Sequence, residues 1–192
     1  MEHTKEKSIF YPPGGILIWI VIYLELITFG LAIIALAMSG AADREAFHQD
    51  SEQLNRTIAL INTILLLTAG YLAAKGVQQF KLQQIQKSER NLLWAILCGC
   101  GFLLLKCFEY FQKLELGLGM DASTFYMFYW LLTGFHWVHV LVGLVILVAI
   151  RRNIIKIKAD AVAIEDVEAG VTFWHLCDLI WLFLFPVLYM LF

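Results

Sequence analysis

Five apolar runs, each long enough to cross a bilayer, constrain this chain more than any other feature. They lie at about Gly14 to Met38, Thr57 to Phe80, Asn91 to Leu114, Ser123 to Ile150 and Gly170 to Phe192. About 20 helical residues cross a hydrocarbon core ~30 Å thick, and in lipid only helices or closed barrels satisfy their own backbone groups. With 60% hydrophobic and 16% charged residues and a mean hydropathy of +0.74, a chain this short has no soluble core large enough to hide its apolar surface. The sequence predicts an all-α integral membrane bundle of five transmembrane helices, a single membrane domain over residues 1–192.

Lysine and arginine placement orients the bundle. Lys5, Lys7, Lys81, Lys87, Arg90, Arg151, Arg152, Lys156 and Lys158 fall on one side, against Arg44, Arg56 and Lys113 on the other. The expected topology has the N-terminus in the cytoplasm and Phe192 on the far side of a bacterial inner membrane. The polar start, broken at Pro12-Pro13-Gly14-Gly15, reads as an uncleaved entry to the first span, because that span is too long for a signal peptide. The outer segment Ser39 to Arg56 and the acidic stretch Glu165, Asp166, Glu168 read as solvated caps. With a formal charge of −2, no basic stripe and no glycine-rich phosphate loop, nothing points to nucleic acid or nucleotide as a partner.

The spans carry ionisable residues that hydrocarbon does not tolerate singly. His136 and His139 lie in the fourth span, His175 and Asp178 in the fifth, each pair spaced i, i+3 and so on one helix face. At ~1.5 Å rise per residue, Glu25 falls about 17 Å from the cytoplasmic start of its helix, His139 about 16 Å from the cytoplasmic end of its own, and Asp178 about 12 Å into the fifth span. These three are expected to share a level and to hydrogen-bond. Lys106 and Glu109, again i, i+3, lie near the outer end of the third span and are expected to pair and snorkel, as is Lys75 at the inner end of the second. Asn62 and Thr63 add groups that helix packing can satisfy.

Three chemistries fit the histidines and carboxylates. A metal site is one, although carboxylate-bridged bundles use more carboxylates, with His three residues after Glu. Haem ligation by two facing histidines is another. The third is mutual satisfaction that locks helix packing without any metal or catalytic centre, and it is the reading favoured by so few carboxylates. Cys98, Cys100, Cys107 and Cys177 show no CxxC pattern and read as buried reduced thiols. Trp19, Trp94, Trp130 and Tyr189 fit a membrane belt, while Gly99, Gly101, Gly134 and Gly143 permit close helix approach.

In order along the chain, several motifs resemble those of subunit III of the haem-copper respiratory oxidases. Glu25 with Phe29 resembles the family's membrane Glu followed by Phe at i+4. The run from Leu60-Ile61-Asn62-Thr63 to Gly70 resembles its Leu-Asn-Thr…Ser-Gly segment, and Glu109-Tyr110 its Glu-Tyr. Thr133-Gly134-Phe135-His136-Trp137-Val138-His139-Val140 with Gly143 resembles the signature Thr-Gly-Phe-His-Gly-Leu-His-Val. Glu168 with Trp174-His175-x-x-Asp178-x-x-Trp181 resembles the closing Glu…Trp-His-Phe-Val-Asp-Val-Val-Trp. The match runs from about Ile16 to Phe192 in five collinear blocks. Departures are Trp137 in place of a small residue and Lys106 where Gln is common. The seven-helix members carry two more N-terminal helices, so the chain resembles a short five-helix branch that includes accessory proteins of bacterial nitric oxide reductase.

The resemblance implies a non-redox accessory subunit with no catalytic residue, metal or haem of its own, whose partner subunit I holds haem with copper or iron. It implies stabilisation of that subunit, support of proton uptake, and structural phospholipid, for which Arg151 or Arg152 approximates the family's lipid-contacting arginine. Glu25 would match the family's buried, carbodiimide-reactive carboxylate, a reactivity that requires a protonated carboxyl. The alternatives are an accessory protein of a nitric oxide reductase and, more remotely, an independent membrane protein binding metal or haem. The sequence does not separate cytochrome c, quinol and nitric oxide as substrates of the complex.

Overall fold

The computed structural model describes residues 15–156 and 163–192, and among them every regular element is helical. The elements are α1 (Ile16–Ala42), α2 (Arg44–Glu52), α3 (Arg56–Lys81), α4 (Ile85–Glu115), α5 (Thr124–Lys156) and α6 (Ile164–Tyr189). All but α2 are long and apolar enough to cross a membrane. Lys5, Lys7, Pro12, Pro13, Gly14 and Lys158, used above for orientation and entry, lie outside the described residues.

The helices run past the hydropathy boundaries. α4 begins at Ile85 rather than Asn91, and α6 at Ile164 rather than Gly170. Hydropathy marks where hydrocarbon starts, whereas a helix continues into the headgroup layer as long as its ends find partners. The acidic stretch is therefore no loop. Glu165 and Asp166 sit in the first turn of α6, where negative charge complements the helix dipole, and Glu168 pairs with Lys81 at the end of α3 at 2.5 Å.

Packing follows one heptad-like stripe per helix. On α4 the buried positions are Ser88, Leu92, Ala95, Gly99, Phe102, Leu103, Lys106, Glu109 and Lys113, steps of three and four that keep one face inward. On α3 the corresponding stripe is rich in small residues (Ala59, Ala69, Gly70, Ala73, Gly76), so the two backbones approach closely and form the most extensive helix pair. Ser88 Oγ of α4 donates to the Gly76 carbonyl of α3 across this contact, at 2.8 Å. A short turn over residues 82–84 joins the two helices, with Gln83 in the left-handed region at φ 58°.

α1 and α6 are the extremes. α1 buries only Ile22, Phe29, Leu36 and Gly40, essentially one residue per heptad, and its apolar window is 11% buried against 56% for α6. α6 is the central helix, touching α1, α3 and α5. Its Trp174 fills the space left by two glycines: a Cβ on Gly99 of α4 would lie 2.6 Å from the indole and one on Gly143 of α5 3.0 Å from it. Gly134, expected at a close approach, faces open space, and Gly101 makes only ordinary contact.

The segment Ser39 to Arg56, expected as a solvated cap, is more than that. Asp43 caps α2 by accepting from Ala46 N–H, and the i, i+4 residues Phe47 and Ser51 face the bundle, both buried. Ser51 Oγ donates to the Phe192 carbonyl at 3.2 Å, Ser123 Oγ to Asp50 Oδ2 at 2.6 Å, Tyr126 to the Asp50 carbonyl, and Lys113 Nζ to the Gln53 carbonyl. α2 thereby ties the ends of α4, α5 and α6 together.

Candidate functional site

The ionisable residues of the spans do not meet at one centre. They divide among three places, each set by a different helix contact.

The first joins α1 to α5. Glu25 sits on the inward face of α1 between Ile22 and Phe29, and its Oε2 lies 3.2 Å from His139 Nε2, without the alignment of a full hydrogen bond. His139 Nδ1 is 2.8 Å from the Phe135 carbonyl. A carbonyl only accepts, so Nδ1 carries hydrogen and donates. In a neutral ring Nε2 is then an acceptor that faces the Glu25 carboxyl group. The pair is partly exposed, at 12% for His139 and 21% for Glu25.

The second place lies between α6 and α3. His175 Nδ1 and Asp178 Oδ2 are 3.2 Å apart within α6, and the carboxylate rests against Gly70 of α3, where a Cβ would fall 2.1 Å from Oδ2. Asp178 therefore does not join Glu25 and His139, contrary to the expected three-way contact: equal depth does not set azimuth, and the Asp178 carboxylate turns toward α3. His175 is likewise not a buried seam residue, for its side chain is 45% exposed on the flank of the bundle.

The third place is the end of α4 nearest α2. Lys106 and Glu109 pair as expected, at 3.0 Å, but neither snorkels: each is 1% exposed. Lys106 Nζ donates to Glu109 Oε2 and contacts Tyr189 OH at 2.7 Å and Tyr129 OH at 3.2 Å. Both phenols donate to Glu109 Oε1, Tyr129 at 2.8 Å and Tyr189 at 2.7 Å. Three ammonium donors and both carboxylate oxygens are thus engaged, which is what a buried charge pair needs. Tyr189, read as a belt residue, belongs to this network. The burial of Lys106 and Glu109 did have a signal in the sequence: both extend the i, i+3/i+4 row that contains Ala95, Gly99 and Phe102.

His136 is fully buried, stacked on Trp181 at a ring-centroid distance of 5.4 Å and met edge-on by Phe29 and Phe102. Neither ring nitrogen has a hydrogen-bond partner among the described residues, nor has the Asn62 amide. Thr63, by contrast, accepts from Trp181 Nε1 at 2.9 Å. Arg151 binds Glu89 at 2.8 Å, tying α5 to α4, while Arg152 is exposed. Lys75 is exposed and its ammonium lies 3.5 Å from Tyr71 OH, one turn back toward the middle of α3. Cys100 and Cys107 face out of the bundle and only Cys177 is buried, which corrects the reading of four buried thiols.

Metal chelation and bis-histidine haem ligation both need side chains that converge. Here the histidines point to separate interfaces, and among the described residues no three of His, Cys, Asp and Glu come together as a metal-binding group. The Glu25–His139 contact joins α1 to α5, the Lys106–Glu109 network joins α4 to α5 and α6, and the Trp181–Thr63 hydrogen bond joins α6 to α3.

Comparison with known proteins identifies the family. The family described as cytochrome c oxidase subunit III matches residues 51–191. Relatives named cytochrome c oxidase subunit 3 include that of Rhipicephalus sanguineus, 32% identical over 136 residues, covering 69% of this chain and 50% of that protein. That of Corynebacterium diphtheriae is 28% identical over 144 residues, covering 75% and 70% respectively. That of Rattus norvegicus is 30% identical over 133 residues, covering 69% and 49%. The matched region thus spans about half the length of the animal relatives. Five bilayer-length helices and a family match over most of the chain lead to one conclusion: the chain belongs to the cytochrome c oxidase subunit III family.

Proposed function

We propose that this chain is a non-redox accessory subunit of a haem-copper terminal oxidase, lying in a bacterial inner membrane with its N-terminus in the cytoplasm. It steadies the haem-bearing subunit I, holds structural phospholipid near Arg151 and Arg152, and supports proton uptake by the partner. The observation that carries this reading is the match of residues 51–191 to the cytochrome c oxidase subunit III family in a chain with five helices long and apolar enough to cross a membrane. The Glu25–His139 pair supports the proton-related part. It sets a carboxyl group against an imidazole nitrogen and is partly open at the bundle's flank.

Gentle isolation from native membranes, followed by a reduced-minus-oxidised optical spectrum and subunit analysis, tests the proposal. Co-purification with a haem-copper subunit is the expected result. A partner with haem and non-haem iron in place of copper would move the assignment to nitric oxide reductase. A solitary chain carrying stoichiometric haem or metal would overturn it.

A further inference from the structure

A cavity of about 360 Å³ opens at the α2 end of the bundle, with the exposed Gln53, Asn55 and Glu115 at its mouth and Glu109 and Lys113 deeper in. Glu109 lines this cavity and is nevertheless only 1% exposed. The spacing along α4 shows what covers it. Lys113 follows Glu109 at i+4, so the two lie on one helix face. A helical side chain leans over the turn that precedes its own Cα, which sets the Lys113 arm over the Glu109 turn. Lys113 stands in the last turn of α4, where a lysine ordinarily reaches for water, yet it is buried.

α2 holds the arm in place. The Lys113 ammonium donates to the Gln53 carbonyl, and Gln53 is the C-cap of α2. Carbonyls at a helix C-terminus carry partial negative charge and lack intrahelical donors, so a cation suits them. α2 is itself fixed by Phe47, buried against Phe125 and Phe192, and by Ser123 Oγ donating to Asp50. Beneath the arm lies the Lys106–Glu109 pair with its two phenols.

We propose that α2 and Lys113 form a lid. The arm, anchored on the C-cap of α2, closes the cavity over Glu109, and the buried pair meets water only when α2 lifts from the bundle. A proton then passes between water and the Glu109 carboxylate, an exchange that the closed lid prevents. Docking of a short polar helix is thereby coupled to hydration of a buried charge pair. The device is built from this chain's own residues and does not depend on which partner the chain carries.

The test uses the full chain, purified in mild detergent with its bound subunits. It is treated with a water-soluble carbodiimide and an added amine, and amide formation is located by mass spectrometry. Glu115, at the mouth, is the internal standard. In the wild type Glu109 is expected to react at least about tenfold more slowly than Glu115, as a locally closed group does. Lys113→Ser shortens the arm, and Phe47→Ala loosens α2 with the arm intact. Each is expected to bring Glu109 to within about threefold of Glu115, as an amide to the added amine or to the neighbouring Lys106. Phe80→Ala removes an equally buried ring at the opposite end of α3 and is expected to leave Glu109 protected, which separates a lid from general loosening. Equal reaction of Glu109 and Glu115 in the wild type overturns the proposal, and that comparison needs no variant to fold. So does a Glu109 that stays protected in Lys113→Ser or in Phe47→Ala while Glu115 reacts, or one that becomes equally reactive in Phe80→Ala.

Discussion

Two polar clusters of the bundle make a contrast. At the α2 end, Lys106, Glu109, Tyr129 and Tyr189 form a sealed network in which each charged atom has partners. Midway down, Glu25–His139 and His175–Asp178 are two-membered, partly exposed, and leave atoms unsatisfied: Glu25 Oε2 and Asp178 Oδ1 have no aligned hydrogen bond. A closed network rigidifies a fold and offers nothing to a ligand, whereas an open pair has capacity left for a proton or a neighbour. Charge inside a membrane protein thus has two uses, and satisfaction of its hydrogen bonds distinguishes them.

The contrast is broken most severely by Lys106→Met, which strands Glu109 as a buried carboxylate beside two phenols. A loss of about 3–5 kcal/mol is expected, read as a fall in folded yield and melting temperature in detergent. The double variant Lys106→Met with Glu109→Gln recovers much of it, because no charge is then unpaired. Tyr189→Phe leaves the ion pair but removes one contact to each charge, for an expected loss of about 1.5–3 kcal/mol. Gly99→Ala drives a methyl to within 2.6 Å of Trp174 and is expected to cost about 1–3 kcal/mol by overpacking.

The open pairs behave otherwise. Glu25→Gln keeps a polar group beside His139 and is expected to change stability by about 1 kcal/mol or less, yet to abolish labelling by an apolar carbodiimide. Mass spectrometry of the wild type is expected to locate the label on Glu25 and leave Glu109 unmodified. Label on Glu109 would mean that the network is not sealed. Gly134→Ala has the smallest expected effect, within about 0.5–1 kcal/mol and in the stabilising direction, since nothing lies within 4 Å and alanine favours helix.

The span count, the all-α class and the family were legible because hydropathy and collinear motifs are properties of contiguous residues. Partners were less so. Lys106 and Tyr189 are 83 positions apart, and nothing local in either announces the other. Asp178 shares a depth with Glu25, but depth leaves azimuth open, and the carboxylate turned to Gly70 of α3, which has no side chain. α2 was overlooked because a nine-residue polar helix carries no hydropathy signal. Its Asp43 cap and its Phe47/Ser51 spacing were nonetheless present in the sequence.

The stitching by α2 has a mechanical consequence. At that end the helices are joined by hydrogen bonds, buried aromatics and an ion pair sealed from solvent. The opposite end relies in part on two ion pairs, Lys81–Glu168 and Arg151–Glu89, both partly open to solvent and so weakened by salt. Concentrated salt is therefore expected to loosen the end opposite α2 first, with the α2 end as its hinge pin.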